Sequence, residues 1–170
     1  MASTNAGPHY RDFAAKSWNT RFDKMGDDSE AAFERNHNKW VRYGLCRPPF
    51  AVGKLPLMLR YTPDYIHDTN GRPHFVEVQG CSPRKGIKIK CEKFVTLETG
   101  WAPLLPLNFF FWDSTRNMHT TIEYTDLLKL IKSDQVTMGT FKDPGGEKPY
   151  WQLRTKMFTW KQDGEETGMG

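Results

Sequence analysis

The stretch Tyr61-Thr62-Pro63-Asp64-Tyr65-Ile66-His67-Asp68-Thr69-Asn70-Gly71-Arg72-Pro73-His74-Phe75-Val76-Glu77-Val78-Gln79-Gly80 decides how this 170-residue chain is read. Asn70-Gly71 is a strong hairpin signal, because both central residues of a type I′ turn need positive φ. With those two at the turn, Thr69 pairs with Arg72, and each later pair steps outward until Asp64 faces Glu77. Hydrogen-bonded and non-hydrogen-bonded pairs alternate, so Asp64–Glu77 is of the second kind, with Cβ atoms roughly 5 Å apart. Pro73 falls at a non-hydrogen-bonded position too, where its missing N–H takes nothing from the ladder. Like charges placed face to face destabilise a sheet. A divalent cation between them turns the repulsion into coordination.

Glu77 and Gln79 are two residues apart and share a strand face, with Val76 and Val78 on the other. Two carboxylates plus an amide or backbone carbonyl suit magnesium, which keeps several waters and takes its remaining oxygens from substrate phosphate. Such a site is fitted to phosphodiester hydrolysis. The alternative is structural: Asp64 as a strand-end turn residue and Glu77 as an exposed one paired with Arg60 or Arg72.

Outward from the hairpin, the order of elements implies an α/β fold with a mixed central sheet flanked by helices. Upstream, Asp27-Asp28-Ser29-Glu30 precedes Phe33, His37, Trp40 and Val41, which predicts a capped amphipathic helix ending at Gly44. Strands are expected at 50–52, 57–66 and 74–79. Phe94, Leu97 and Trp101 carry helical spacing within 84–101, and the apolar run 107–112 suits a strand covered on both faces. A strand at 120–124, a short helix at 125–132, a Gly145-Gly146 turn and an alternating segment 150–160 follow. The expected organisation is a leader over 1–26, a core over 27–134, a C-terminal β/α extension or arm over 135–161 and a frayed tail over 162–170.

Composition narrows the function classes. Cys46, Cys81 and Cys91 are odd in number and lack a CxxC, which argues against a disulfide framework or zinc ribbon and favours a reducing cytoplasm. They read as small buried hydrophobes. Met1–His9 has no apolar core, and the apolar stretch 101–112 is short and broken by Pro103, Pro106 and Asn108, so no membrane association is expected. The net charge is +4, and 84–93 alone holds five basic residues against one acid, an excess equal to that of the whole chain. Such a strip can steer a phosphate backbone, and it can equally be a solvated helix face.

The segments Tyr61-Thr62-Pro63-Asp64-Tyr65-Ile66 and Phe75-Val76-Glu77-Val78-Gln79-Gly80 around the Asn70-Gly71 turn resemble the core motif of the PD-(D/E)XK nuclease superfamily. The likeness is closest to small phage-encoded endonucleases of the Holliday-junction resolvase or TnsA-like kind, and it covers 27–113. It implies a restriction-endonuclease-like core of order αβββαβ. It also implies a Mg2+-dependent DNA endonuclease, with Mn2+ able to substitute, acting on branched or recombination-intermediate DNA. Asp64 and Glu77 would be the metal-binding carboxylates and Glu30 the helical one. Gln79 departs from the pattern, which usually has lysine there. The alternative is a catalytically silent nucleic-acid-binding or phage-assembly protein that keeps the fold.

Lys90 is the expected substitute lysine, because it sits four, seven and eleven residues before Phe94, Leu97 and Trp101, and Lys88 comes second. Glu30 also closes a capping box with Asp27, which would leave it with a purely structural role. Glu34 is its fallback and reads as solvated. His37 is expected in the core, and His67 and His74 only flank the turn. Ser82, Arg84, Lys85 and Lys88 are candidate DNA-phosphate contacts near an expected helix N-terminus. The 148–161 segment reads as an edge strand or dimer arm before it reads as a base-stacking platform, so a homodimer is one expected assembly.

Overall fold

The computed structural model describes residues 17–44, 55–82, 84, 86–143 and 146–164, with only the backbone of 17–24 and 143. Cys46, Lys85, the strand expected at 50–52, the leader up to residue 16 and the tail beyond 164 lie outside the described residues. Helix α1 (Ser17–Asn36) is followed by β1 (Trp40–Arg42), α2 (Leu57–Arg60), β2 (Tyr65–Thr69), β3 (Arg72–Cys81) and β4 (Ile87–Lys90). Helix α3 (Cys91–Thr96) then runs on as one π turn (Leu97–Trp101). After it come β5 (Leu107–Asp113), β6 (Met118–Glu123), α4 (Tyr124–Ile131), β7 (Thr137–Asp143), β8 (Gly146–Leu153), a 3-10 turn (Thr155–Met157) and β9 (Lys161–Gln162).

The turn behaves as the sequence predicts. Asn70 and Gly71 both have positive φ, 53° and 77°, and the pairs from Thr69–Arg72 out to Tyr65–Val76 keep the expected register. Strand β3 is central in a six-stranded sheet of order β1-β2-β3-β5-β6-β9, in which β3 and β5 run parallel and the other neighbours antiparallel. The parallel pair needs a crossover, and the excursion through β4 and α3 supplies it. Strands β4, β8 and β7 form a second, antiparallel sheet in the order β4-β8-β7.

Both faces of the large sheet are covered, so the fold is mixed α/β with flanking helices. On β5 the alternation sends Phe109 and Phe111 to one cluster, with Phe75, Phe94, Leu97, Trp101 and Leu127. Phe110 and Trp112 go to the other, under α1, with Ala32, Phe33, Tyr65, Val76 and Val78. Helix α1 lies close on β3 because residue 80 is glycine: a Cβ there would meet the Met25 side chain at 2.5 Å. No helix among the described residues is long and apolar enough to cross a membrane.

Four elements differ from the sequence expectation. Helix α1 begins at Ser17, not Asp27, so Asp27-x-x-Glu30 lies mid-helix and is no capping box; Ser29 donates instead to the Gly26 carbonyl at 2.8 Å. It stops at Asn36, Lys39 takes φ 54°, and Trp40–Arg42 pair with β2 as an edge strand. Residues 57–60 are a helical turn on the Pro56 carbonyl, which accepts the N–H groups of Leu59 and Arg60 at 3.0 Å. The third difference is β4: Ile87 and Ile89 are buried while Lys88 and Lys90 take the other face, a period of two where a helix was expected. Lastly, β8 ends at Leu153, and Met157, Phe158 and Trp160 fold back on the chain's own core, so 150–160 is not an extended arm. The expected tail also docks in part: Gln162 pairs with Met118, and Asp163 meets Arg35 at 2.8 Å.

Candidate active site

Asp64 sits where the β2 ladder ends. Its backbone carbonyl accepts the N–H groups of Tyr43 and Gly44 at 2.8 and 3.1 Å, which ties β1 to the start of β2. Its carboxylate accepts the Val78 N–H at 2.7 Å, so the side chain satisfies a β3 donor beyond the last backbone pair. That hydrogen bond aims the carboxylate at β3, next to Glu77.

Glu77 is 1% exposed and points from β3 to the α3 side of the sheet, the face shared with Phe75. Lys93, in the first turn of α3, forms an ion pair with its Oε1. No N–H or O–H group of normal hydrogen-bond geometry otherwise satisfies either Glu77 oxygen among the described residues. Burial pushes the Glu77 carboxyl well above the ordinary carboxylate range, the Asp64 charge pushes it further, and Lys93 pulls it back. Burial opposes the Lys93 charge, but Glu77 and Asp64 outweigh it and hold the ammonium protonated. Two carboxyls therefore share one ammonium, too little positive charge for both to ionise readily. A buried carboxylate with an orphaned oxygen, beside a second carboxylate, fits a hard divalent cation.

The lysine differs from the expected ones. Lys88 and Lys90 are on β4, and their ammonium groups lie 4.5 Å from the Tyr150 ring centroid and 5.7 Å from that of Phe141, respectively. The helical count that favoured Lys90 fails because the helix starts only at Cys91. Restarting the count there would have found Lys93, four residues before Leu97. Gln79 does lie on the Glu77 face, but its amide donates to the Lys88 carbonyl at 2.9 Å, which joins β3 to β4. Sequence reading also missed the residues beside Lys93: Glu92 accepts the Tyr61 hydroxyl at 2.9 Å and Arg60 at 3.3 Å.

Family models, curated proteins and solved structures return no match for this chain. What the site can do therefore follows from its own geometry.

Glu30 approaches from α1. Burial raises its carboxyl, and the charge of Asp64 adds to the rise, so the two acids feel one another; Arg42 on β1 holds Glu30 at 3.0 Å. Glu34 is not simply solvated: it accepts Arg42 at 2.6 Å and the buried Tyr65 hydroxyl at 2.8 Å. Among the described residues, no three His, Cys, Asp or Glu side chains stand together as a metal-holding group. The structure thus brings Asp64, Glu77 and Lys93 together and leaves Glu30 paired to Arg42 at the edge.

The expected DNA contacts are not at a helix N-terminus. Ser82 bridges to Gly86 in the loop that enters β4, and Arg84 is exposed in that loop. His37 stacks on Phe33 at 4.4 Å, with its Nδ1 3.0 Å from the Phe33 carbonyl oxygen, and His67 meets His74 at 3.2 Å. These histidines belong to the α1 side of the sheet.

Proposed function

We propose that the chain is a magnesium-dependent DNA endonuclease of the PD-(D/E)XK kind, acting on branched or recombination-intermediate DNA. The observation that carries this reading is the meeting of Asp64, buried Glu77 and Lys93 at the end of one hairpin. The order α1-β1-β2-β3-α3-β5 supports it, since it follows the αβββαβ order that the motif implies, with α2 and β4 as insertions. So does the lysine: Lys93 supplies from the next helix the positive charge that Gln79 cannot.

Asp64 and Glu77 would hold the magnesium ion, with Glu30 within electrostatic reach. When bound, the ion neutralises charge on the scissile phosphate and acidifies a coordinated water. Lys93 partly offsets the cost of ionising buried Glu77 and has ammonium protons to donate to a phosphate oxygen. The Val78 N–H fixes the Asp64 carboxylate so that its lone pairs stay on the Glu77 side.

The test is cleavage of labelled linear, flap and four-way DNA with Mg2+, Mn2+ or a chelator. Asp64→Asn and Lys93→Met are each expected to lower the rate on the order of 10²- to 10⁴-fold. Unchanged cleavage by Asp64→Asn would end the assignment. The closure of Glu77 behind Lys93 favours a second reading, a silent nucleic-acid-binding or phage-assembly protein on the same fold. A calorimetric titration with magnesium separates the two, because a silent site gives no heat that depends on Glu77.

A further inference from the structure

We propose that the outer face of the β4–β8–β7 sheet docks the phosphate backbone of a nucleic-acid strand. The register sets Lys88 opposite Gln152, Lys90 opposite Tyr150 and Phe141 opposite Lys148. Side chains alternate across a strand, so with Ile87, Ile89 and Leu153 buried in the core, these six residues share the opposite face. Lys88, Lys90 and Lys148 thus bring three ammonium groups to that face.

The face has a preformed floor. A Cβ on Gly139 would lie 2.5 Å from the Tyr150 hydroxyl oxygen, so the glycine lets the phenol end of that ring cross β7. Phe141 packs beside it at 4.4 Å between centroids. Lys88 lies 4.5 Å from the Tyr150 centroid and 5.6 Å from that of Phe141, and Lys90 lies 5.7 Å from Phe141. Cation–π attraction keeps these ammonium groups over the sheet, which lowers the entropy lost when a ligand fixes them. Lysines on one strand face recur every ~6.7 Å, a step comparable with that between successive phosphates. An extended strand with a regular run of negative charges matches that spacing better than a compact anion does.

The position matters as well. Gln79 bonds the Lys88 carbonyl, so the strand that carries the lysines is tied to the strand that carries Glu77. A nucleic acid lying on this face would be held by a strand bonded to the one that bears Glu77, yet docking itself requires no cleavage.

Fluorescence anisotropy with a labelled single-stranded oligonucleotide, in chelator and at several salt concentrations, tests the assignment. The pair Lys88→Gln/Lys148→Gln is expected to weaken binding roughly tenfold and to lower the salt slope by about 1 to 2. The corresponding arginine pair should restore both, and Lys129→Gln, on exposed α4, should change neither. Lys148→Glu alone, which leaves both β4 lysines over the rings, should also weaken binding and decides the matter if the double variant does not fold. Unchanged affinity in a folded glutamine pair, or no binding by the wild type at low salt, overturns the proposal. So does displacement of the oligonucleotide by polyglutamate at equal charge, which would assign the face to an acidic protein. Asp64→Asn is expected to bind the oligonucleotide as the wild type does, so a failure of catalysis and a failure of docking are read separately.

Discussion

Lys93 and Glu77 illustrate how little freedom a buried charge has. A carboxyl that is 1% exposed ionises readily only if something nearby repays the lost hydration, and here a single ammonium shared with Asp64 repays part of it. Lys93→Met should therefore destabilise the fold, by up to about 3–5 kcal/mol once the pH is high enough to ionise Glu77 in the wild type, as uncompensated buried charges do. The sign of its pH dependence follows from the raised Glu77 carboxyl. In both proteins the folded state keeps the Glu77 proton that the unfolded chain releases near 4.5, so the deficit is flat until the wild-type carboxyl ionises at about 8 and grows above that pH. Urea titrations across pH measure it, and Glu77→Gln/Lys93→Met should recover most of the loss. A deficit that does not vary with pH would show that Lys93 supports the fold by packing alone.

At the scale of the element, the hairpin was legible from its turn out to Tyr65–Val76, because the turn chemistry and the period of two agree on one register, while Asp64 lies just beyond the last pair. Asp64 and Glu77 could therefore be placed opposite one another from the sequence alone. Gly71 sits at φ 77°, and a Cβ added to it would have no atom within 4 Å, so Gly71→Ala should cost only backbone strain, about 1–2 kcal/mol. Denaturant unfolding checks this, and a much larger loss would mean that the turn does more than reverse the chain. The lysine was not legible for a physical reason. Ile87-Lys88-Ile89-Lys90 runs directly into Cys91 with no glycine or proline between them, so a strand and a helix read as one amphipathic segment. Only burial of Ile87 and Ile89 under β8 separates the two periods. The edge strand β1 was hidden in the same way, since Trp40 and Val41 continue the spacing of α1 while pairing with His67 and Ile66.

Across the whole molecule, acid should weaken the fold through the aromatic layer under α1. Burial depresses the His37 imidazole from its ordinary 6.5 to about 4, and His67 is lowered for the same first reason. Both are neutral in the folded state at pH 7, so neither affects stability there. As pH falls below 6.5 the unfolded chain takes protons that the folded chain refuses, and stability declines until about pH 4. The His37 contribution to that loss is on the order of 2–3 kcal/mol. Thermal melts of the wild type and His37→Phe across this range should show a shallower decline in the variant. Equal slopes would move the acid sensitivity elsewhere in the molecule.

Asp64 and the Val78 N–H it caps are 14 residues apart in sequence, whereas Asp163 grips Arg35 across 128. Short loops close long before distant ones, so the two acids come together early in folding, while the helix bearing Glu30 is clasped only once nearly all of the described chain has been laid down. The acidic corner of this protein is thus assembled locally, and the clasp on α1 arrives last.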